Sequence, residues 1–218
     1  MADELVITCE IDSPDKKTPM LRSEFYSEQI KEFRKNSKPS RAVSIIELFL
    51  FNEHGELFIQ KRSDTKAHNP GLLDNSVGGH IKWGDGVEFT MMVESVQELQ
   101  APAIALRTDE DFIKTFKLLQ EYLSTISLQK KVDSRIFLLE KIFHGEKVII
   151  ANKKYVFFGV FHGAVKTVDR EAKGILLYSL DDLIEEMKSR PEIFTHDLKE
   201  MIATYEDKLR AFVKEIAN

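Results

Sequence analysis

The sequence predicts an α/β (α+β) fold, a mixed β-sheet sandwiched between helices. Three observations carry that expectation. Strand-like and helix-like segments interleave along the whole chain. Consecutive strand segments are joined by short turns, as at Asn52-Glu53-His54-Gly55, which is hairpin chemistry. Apolar residues make up 43% of the 218 residues, enough to bury the core of one domain or of two small ones.

The elements follow in order. Residues 1–20 are polar, with Pro14 and Pro19, and hold one short strand candidate at Val6-Ile7-Thr8. The spacing of Phe25, Tyr26, Ile30 and Phe33 predicts a helix over 22–35, ended before Pro39. Ala42 to Phe51 is rich in β-formers, and Glu56 to Lys61 reads as its antiparallel return. Phe112, Phe116, Leu119, Leu123 and Ile126 recur at helical spacing and predict a helix over 109–130. Its stripe caps the core or pairs with a second copy of the chain. Strands are expected at 135–144, 147–150, 155–162 and 174–179, and a helix at 181–188. Thr195 is placed to cap a last helix whose buried stripe is Leu198, Met201, Ile202, Tyr205, Leu209 and Phe212.

Charge and composition exclude some functions. The formal net charge is −5, so neither a nucleic acid polymer nor an anionic membrane is an expected partner. The longest apolar runs are far shorter than the roughly 20 residues of a membrane span. The N-terminus has no basic start followed by an apolar run. A lone cysteine, Cys9, excludes an internal disulfide framework and a cysteine-built zinc site. A cytoplasmic location fits these features.

The stretch Asn69 to Gln100 is the richest in chemistry. It reads as a Pro-Gly turn, a strand segment, the pair Gly78-Gly79, a loop and an amphipathic helix. With the helix phase taken from Phe89, the residues Phe89, Met92, Val93, Val96 and Leu99 form the buried stripe. Glu94, Gln97 and Glu98 then share the opposite face, where spacings of three and four make them neighbours. Two adjacent carboxylates repel each other on an ordinary surface and become useful with a hard divalent cation between them.

From Gly79 onward this stretch resembles the signature of the Nudix superfamily, G-x5-E-x7-R-E-U-x-E-E-x-G-U, with U an apolar residue. Gly79, Glu94 and Glu98 match, and Asp85 stands at the first Glu position. Val93 stands at the Arg position, Ser95 at the apolar position, Gln97 at the first of the paired acids and Gln100 at the late Gly. The preceding ELFIQKRSDTK and NPGLLDNSVGGH segments, and the later YSLDDL and RPEIFT, are similar to the flanks in many members. The resemblance covers roughly residues 40–205. It implies a Nudix-like domain over 41–218 with a helical insertion about 103–134, an N-terminal extension over 1–40, and the C-terminal helix.

What the resemblance implies is hydrolysis of a small diphosphate compound with Mg²⁺ or Mn²⁺. Glu94, Glu98, the Gly79 carbonyl and the neutral oxygen of Gln97 are the implied metal ligands. Glu98 or Glu171 is the implied base, with Glu94 beside them, and Lys61, Arg62 and Lys66 are candidates to hold phosphates. Each of these also has a plain reading, as a solvated helix face, a solvated acid or an exposed basic loop. Trp83 and Phe158 are candidates to stack on a base or to serve as lid and core. The isopentenyl-diphosphate isomerase branch has a similar NSVCGH segment with a catalytic Cys and a metal-binding His. Here the segment is NSVGGH, so His80 is kept and the thiol position holds Gly78.

Three functions are therefore weighed. The first is a metal-dependent Nudix-type hydrolase acting on a small phosphorylated molecule. The second is a non-catalytic Nudix domain that binds a nucleotide or a protein, suggested by Val93, Gln97 and Gln100. The third is a diphosphate isomerase, opposed by Gly78. A homodimer is the expected assembly, since family members often dimerise.

Overall fold

Residues 3–66, 68–143, 145–167 and 172–217 are described by the computed structural model of the chain. The first strand, β1 (Leu5–Glu10), pairs with β2 (Ser13–Leu21), and α1 (Arg22–Asn36) follows. Next come β3 (Arg41–Phe51), β4 (Leu57–Arg62), β5 (Leu73–Asp74), β6 (Val77–His80) and α2 (Val87–Leu99). The chain continues with β7 (Ala103–Leu106), α3 (Asp109–Leu119), β8 (Ser127–Phe143) and β9 (Glu146–Val160). It closes with β10 (Ala172–Tyr178), α4 (Leu180–Ser189) and α5 (His196–Ile216). The main strand order is β10-β4-β3-β9-β8-β7, parallel between β3 and β9 and between β7 and β8. Residues 5–10 belong to this sheet, because β1 also pairs with the start of β3 from Thr8↔Val43 to Glu10↔Arg41.

Alternation along β3 divides the interior in two. Phe49 and Phe51 point into a cluster with Phe112, Leu183 and the α5 stripe. Ile46, Leu48 and Leu50 point the other way, into a cluster with Met91 and Leu99 of α2. Period-two alternation puts successive side chains on opposite faces of a sheet, so helices cover both. The α5 stripe is buried at all six positions named from the sequence, and the Thr195 hydroxyl caps that helix by accepting from Leu198 N at 3.1 Å.

The expected β3–β4 hairpin forms its turn and then opens. Asn52 Oδ1 accepts from His54 N and Glu56 N, each at 2.9 Å, which fixes the turn. The strands pair only at Phe51↔Leu57. Beyond that point β6 pairs with β3, from Leu48↔Val77 to Ile45↔His80, and β5 pairs with β4. Ser76 sits in the fork. Its fully buried hydroxyl accepts from Leu50 N at 2.9 Å and donates to Phe58 O at 2.6 Å. This is how the glycine pair comes to lie within the sheet.

Ser76→Ala strands both of those buried main-chain groups. An unsatisfied buried polar group costs about 1–3 kcal/mol. The urea midpoint therefore falls with an unchanged slope, and an unmoved midpoint contradicts the bridging role.

The chain departs from expectation after residue 119. The predicted 109–130 helix stops at Leu119, passes through a 3-10 turn at Gln120–Tyr122, and residues 127–130 are strand. Leu128 pairs with Ile104 on one side and Val160 on the other, so two ladders compete successfully with one more helical turn. Phe112, Phe116 and Leu123 are nonetheless buried. The stripe is taken up by the core of its own chain, and a homodimer would use another surface. The strands expected at 147–150 and 155–162 are one, β9, in a long hairpin with β8. His144 at its tip lies outside the described residues.

Candidate active site

Helix α2 follows β6 directly and packs on the sheet, but not with the face that its apolar periodicity selects. Phe89 is 53% exposed and Val96 47% exposed, whereas Glu98 is 4% exposed. The sheet-facing positions are Thr90, Met91, Ser95, Glu98 and Leu99. The correction has a physical reason, because the polar members of this face all have partners. Thr90 Oγ1 donates to Gly86 O at 2.9 Å and Ser95 Oγ to Met91 O at 2.8 Å. Ser95 Oγ also accepts from Gln129 Nε2 of β8 at 2.8 Å. The helix ends at Gln100 in the left-handed conformation, φ 53°, at the position where the Nudix signature has glycine. A side chain tolerates that conformation at a cost of about 1–2 kcal/mol.

Two acids on this flank meet the sheet. Glu94 lies against Gly79 of β6. A Cβ built on Gly79 would stand 2.6 Å from Glu94 Cδ and 2.7 Å from its Oε1. The missing side chain of Gly79 is thus the space that the Glu94 carboxylate fills. Glu98, one turn further, accepts on Oε2 from Gln60 Nε2 of β4 at 3.1 Å. Gln97 stands exposed and Val93 is half-buried. At Gly78 a Cβ would meet only Ile46 O at 3.9 Å, so a side chain fits there and the chain has none.

This donor set suits a hard cation of modest demand. It offers two carboxylates a turn apart, one lying against Gly79 and one bonded to Gln60. Among the described residues no group of three or more acid, histidine or cysteine side chains is arranged to hold a metal ion. An ion held here would therefore keep several water ligands, as Mg²⁺ commonly does. Glu171, named from the sequence as a further acid, lies outside the described residues.

The basic loop is less open than its composition suggests. Arg62 is tied down by Asp74 at 2.8 Å and by the carbonyls of His68 and Asn69, each at 3.1 Å. It holds the loop's shape. Lys61 is exposed and Lys66 is half-buried. Phe158 is core, while Trp83 is exposed near the start of α2. His80 Nε2 is 2.9 Å from the Tyr26 hydroxyl of α1, and burial holds its imidazole well below the usual range, so it is neutral. Cys9 is buried beside Ala42 and Ala151, and burial pushes its thiol up.

Beneath the NSVGGH segment runs a buried ionic cluster that sequence reasoning missed. The Glu47 carboxylate touches both the Lys154 ammonium and the Asn75 amide. Lys154 is 0% exposed and lies 3.9 Å from Asp197 at the start of α5, which is 3.8 Å from Lys141. Burial pushes Glu47 up to about 7. Burial alone would lower Lys154, but Glu47 and Asp197 outweigh it and raise its pKa. Burial would raise Asp197, and Lys154 and Lys141 reverse that and hold it below the usual carboxylate range. Lysines 141 and 154 sit in apolar-looking strands, and their acidic partners are distant in sequence, so only the fold reveals the cluster.

Comparison with known proteins places this geometry. The crystal structure of DR0079 from Deinococcus radiodurans superposes with a TM-score of 0.60 at 17% identity, covering 93% of this chain and 98% of that one, so the fold is shared. A Nudix hydrolase of Deinococcus radiodurans is 38% identical over 64 residues, 29% of this chain and 37% of that protein. Part of the chain is thus similar in sequence to Nudix hydrolases. An isopentenyl-diphosphate Delta-isomerase of Serratia proteamaculans is 27% identical over 155 residues, 71% of this chain and 70% of that protein. The chain spans only 23%, 37% and 40% of the length of three curated relatives that it matches, that hydrolase among them. No protein-family model matches the chain. Glu94 and Glu98 lie on the side of α2 that meets the sheet. No helix of the described residues is long and apolar enough to cross a membrane.

Proposed function

We propose that this Nudix-fold chain is a divalent-metal-dependent hydrolase of a small diphosphate compound. The observation that carries the reading is the anchoring of Glu94 on Gly79 and of Glu98 on Gln60. Of the three acidic positions of the signature that lie on α2, those kept here are the two directed at the sheet, and the altered one, Gln97, stands exposed. In this reading Glu94, Glu98 and the Gly79 carbonyl hold Mg²⁺ or Mn²⁺, with Gln97 at the margin. When bound, the ion neutralises charge on the diphosphate and lowers the pKa of a bound water. The chain's own part is to fix two carboxylates at a set separation, and Glu98 or Glu171 accepts the proton of the attacking water. Lys61 and Lys66 meet the phosphates, while Arg62 keeps their loop in shape.

The isomerases among the relatives suggest a second chemistry, and the residues oppose it. Gly78 offers no thiol, Cys9 is buried in a different cluster, and Tyr26 engages His80 Nε2. A panel of nucleoside diphosphate compounds and isopentenyl diphosphate, with Mg²⁺ or Mn²⁺, separates the readings. Metal-dependent hydrolysis is expected, and Glu98→Gln lowers it by roughly 100-fold, the scale of losing one positioned group. Hydrolysis equal in wild type and Glu98→Gln contradicts the proposal, as does isomerisation without hydrolysis.

A further inference from the structure

We infer that Gln60 is the positioning residue for Glu98, and that it sets where the second carboxylate of the site stands. This rests on the hydrolase reading for its consequence and on geometry for its substance. Gln60 is buried, and its Nε2 donates to Glu98 Oε2 at 3.1 Å. Its main chain is fixed from both sides, paired with Asp74 of β5 and Ile175 of β10. A side chain on a strand held by two ladders is a rigid platform for a functional group. Val93, on the helix itself, has no donor to offer.

The chemistry of an amide suits the task. A buried carboxylate needs a donor, because a buried polar group without a partner is costly. A permanent cation in that place would satisfy Glu98 and also neutralise it. The neutral amide orients one oxygen and adds no charge of its own. The consequence is geometric. Glu94 is set by Gly79 on β6, which pairs with β3, and Glu98 by Gln60 on β4; β3 and β4 are the two strands that part at the Ser76 fork. The separation of the carboxylates is therefore a property of the sheet as well as of helix pitch.

Gln60→Met keeps the length and apolar bulk of the side chain and removes the donor. Losing a group that orients a metal ligand typically weakens metal affinity by roughly 10- to 100-fold. That loss is expected in a Mn²⁺ titration of the full chain, together with a lower kcat and a thermal midpoint close to wild type. Mn²⁺ affinity and kcat equal to wild type overturn the inference. A second measurement needs no metal: the side-chain amide protons of Gln60 shift in the NMR spectrum on Glu98→Ala. No shift overturns the assignment whatever the metal does. A shift in a chain that binds no Mn²⁺ leaves Gln60 as the group that orients Glu98 and counts against the hydrolase reading alone.

Discussion

Lys154→Met lowers the unfolding free energy by about 3–5 kcal/mol, the usual cost of breaking a buried ion pair from one side. Lys154 is wholly buried and touches Glu47, with Asp197 at 3.9 Å. Without the ammonium, Glu47 keeps only the Asn75 amide, and Asp197 keeps Lys141 at 3.8 Å. Replacing Glu47 as well, as Glu47→Leu with Lys154→Met, recovers much of the loss, since well-packed apolar residues often serve as well as a buried pair. Urea unfolding of the two variants and wild type gives the answer. A loss under about 1 kcal/mol for the single variant, the range of ordinary substitutions, contradicts this account of the cluster.

The same cluster gives stability a pH dependence of definite sign. Glu47 titrates near 4.5 when unfolded and at about 7 when folded. Between those values the folded chain holds the proton and the unfolded chain has lost it. Stability therefore falls as pH rises from about 4.5 to about 7, by on the order of 3 kcal/mol at 1.36 kcal/mol per pH unit. Asp197, held below its ordinary range, acts in the opposite sense at acid pH: its contribution is lost as pH falls. The Glu47 part is read as the difference between wild type and Glu47→Gln across the window.

Gly79→Ala abolishes most of the metal response while the fold survives, and Gly78→Ala changes little. The neighbouring glycines differ in what surrounds them. At position 79 a methyl would stand 2.6–2.7 Å from the carboxyl group of Glu94, and at position 78 its nearest neighbour would be Ile46 O at 3.9 Å. The obstructing atoms belong to the end of a side chain, so the carboxylate moves and the strand stays. A displacement on the order of 1 Å in a positioned group costs roughly 100-fold in rate. Mn²⁺ titration and turnover of both variants check this. Equal behaviour of the two would show that Gly79 does not shape the Glu94 site.

How legible this was depended on the kind of burial. The α5 stripe was plain because its face meets an apolar cluster, so periodicity and burial coincide. Helix α2 was found as a helix; of its expected stripe Leu99 is buried, while Phe89 and Val96 are exposed. Its sheet side carries Thr90, Ser95 and Glu98, whose burial depends on hydrogen bonds to partners such as Gln60 and Gln129. Those partners lie 38 and 34 positions away in sequence, and no local pattern encodes them. The Ser76 bridge was hidden for the same reason. Arg62 read as a phosphate-binding candidate, because a sequence shows its charge and not the Asp74 carboxylate and loop carbonyls that occupy it. That Glu94 comes close to Gly79 was expected from spacing and resemblance together. That Glu98 is buried against the sheet was not.

The most direct test of the central claim is anomalous diffraction from a crystal of the chain grown with Mn²⁺. The account predicts a manganese peak between the Glu94 and Glu98 carboxylates, within reach of the Gly79 carbonyl, that disappears in Glu98→Gln. A peak at His80 instead, or no peak at millimolar Mn²⁺, would contradict it.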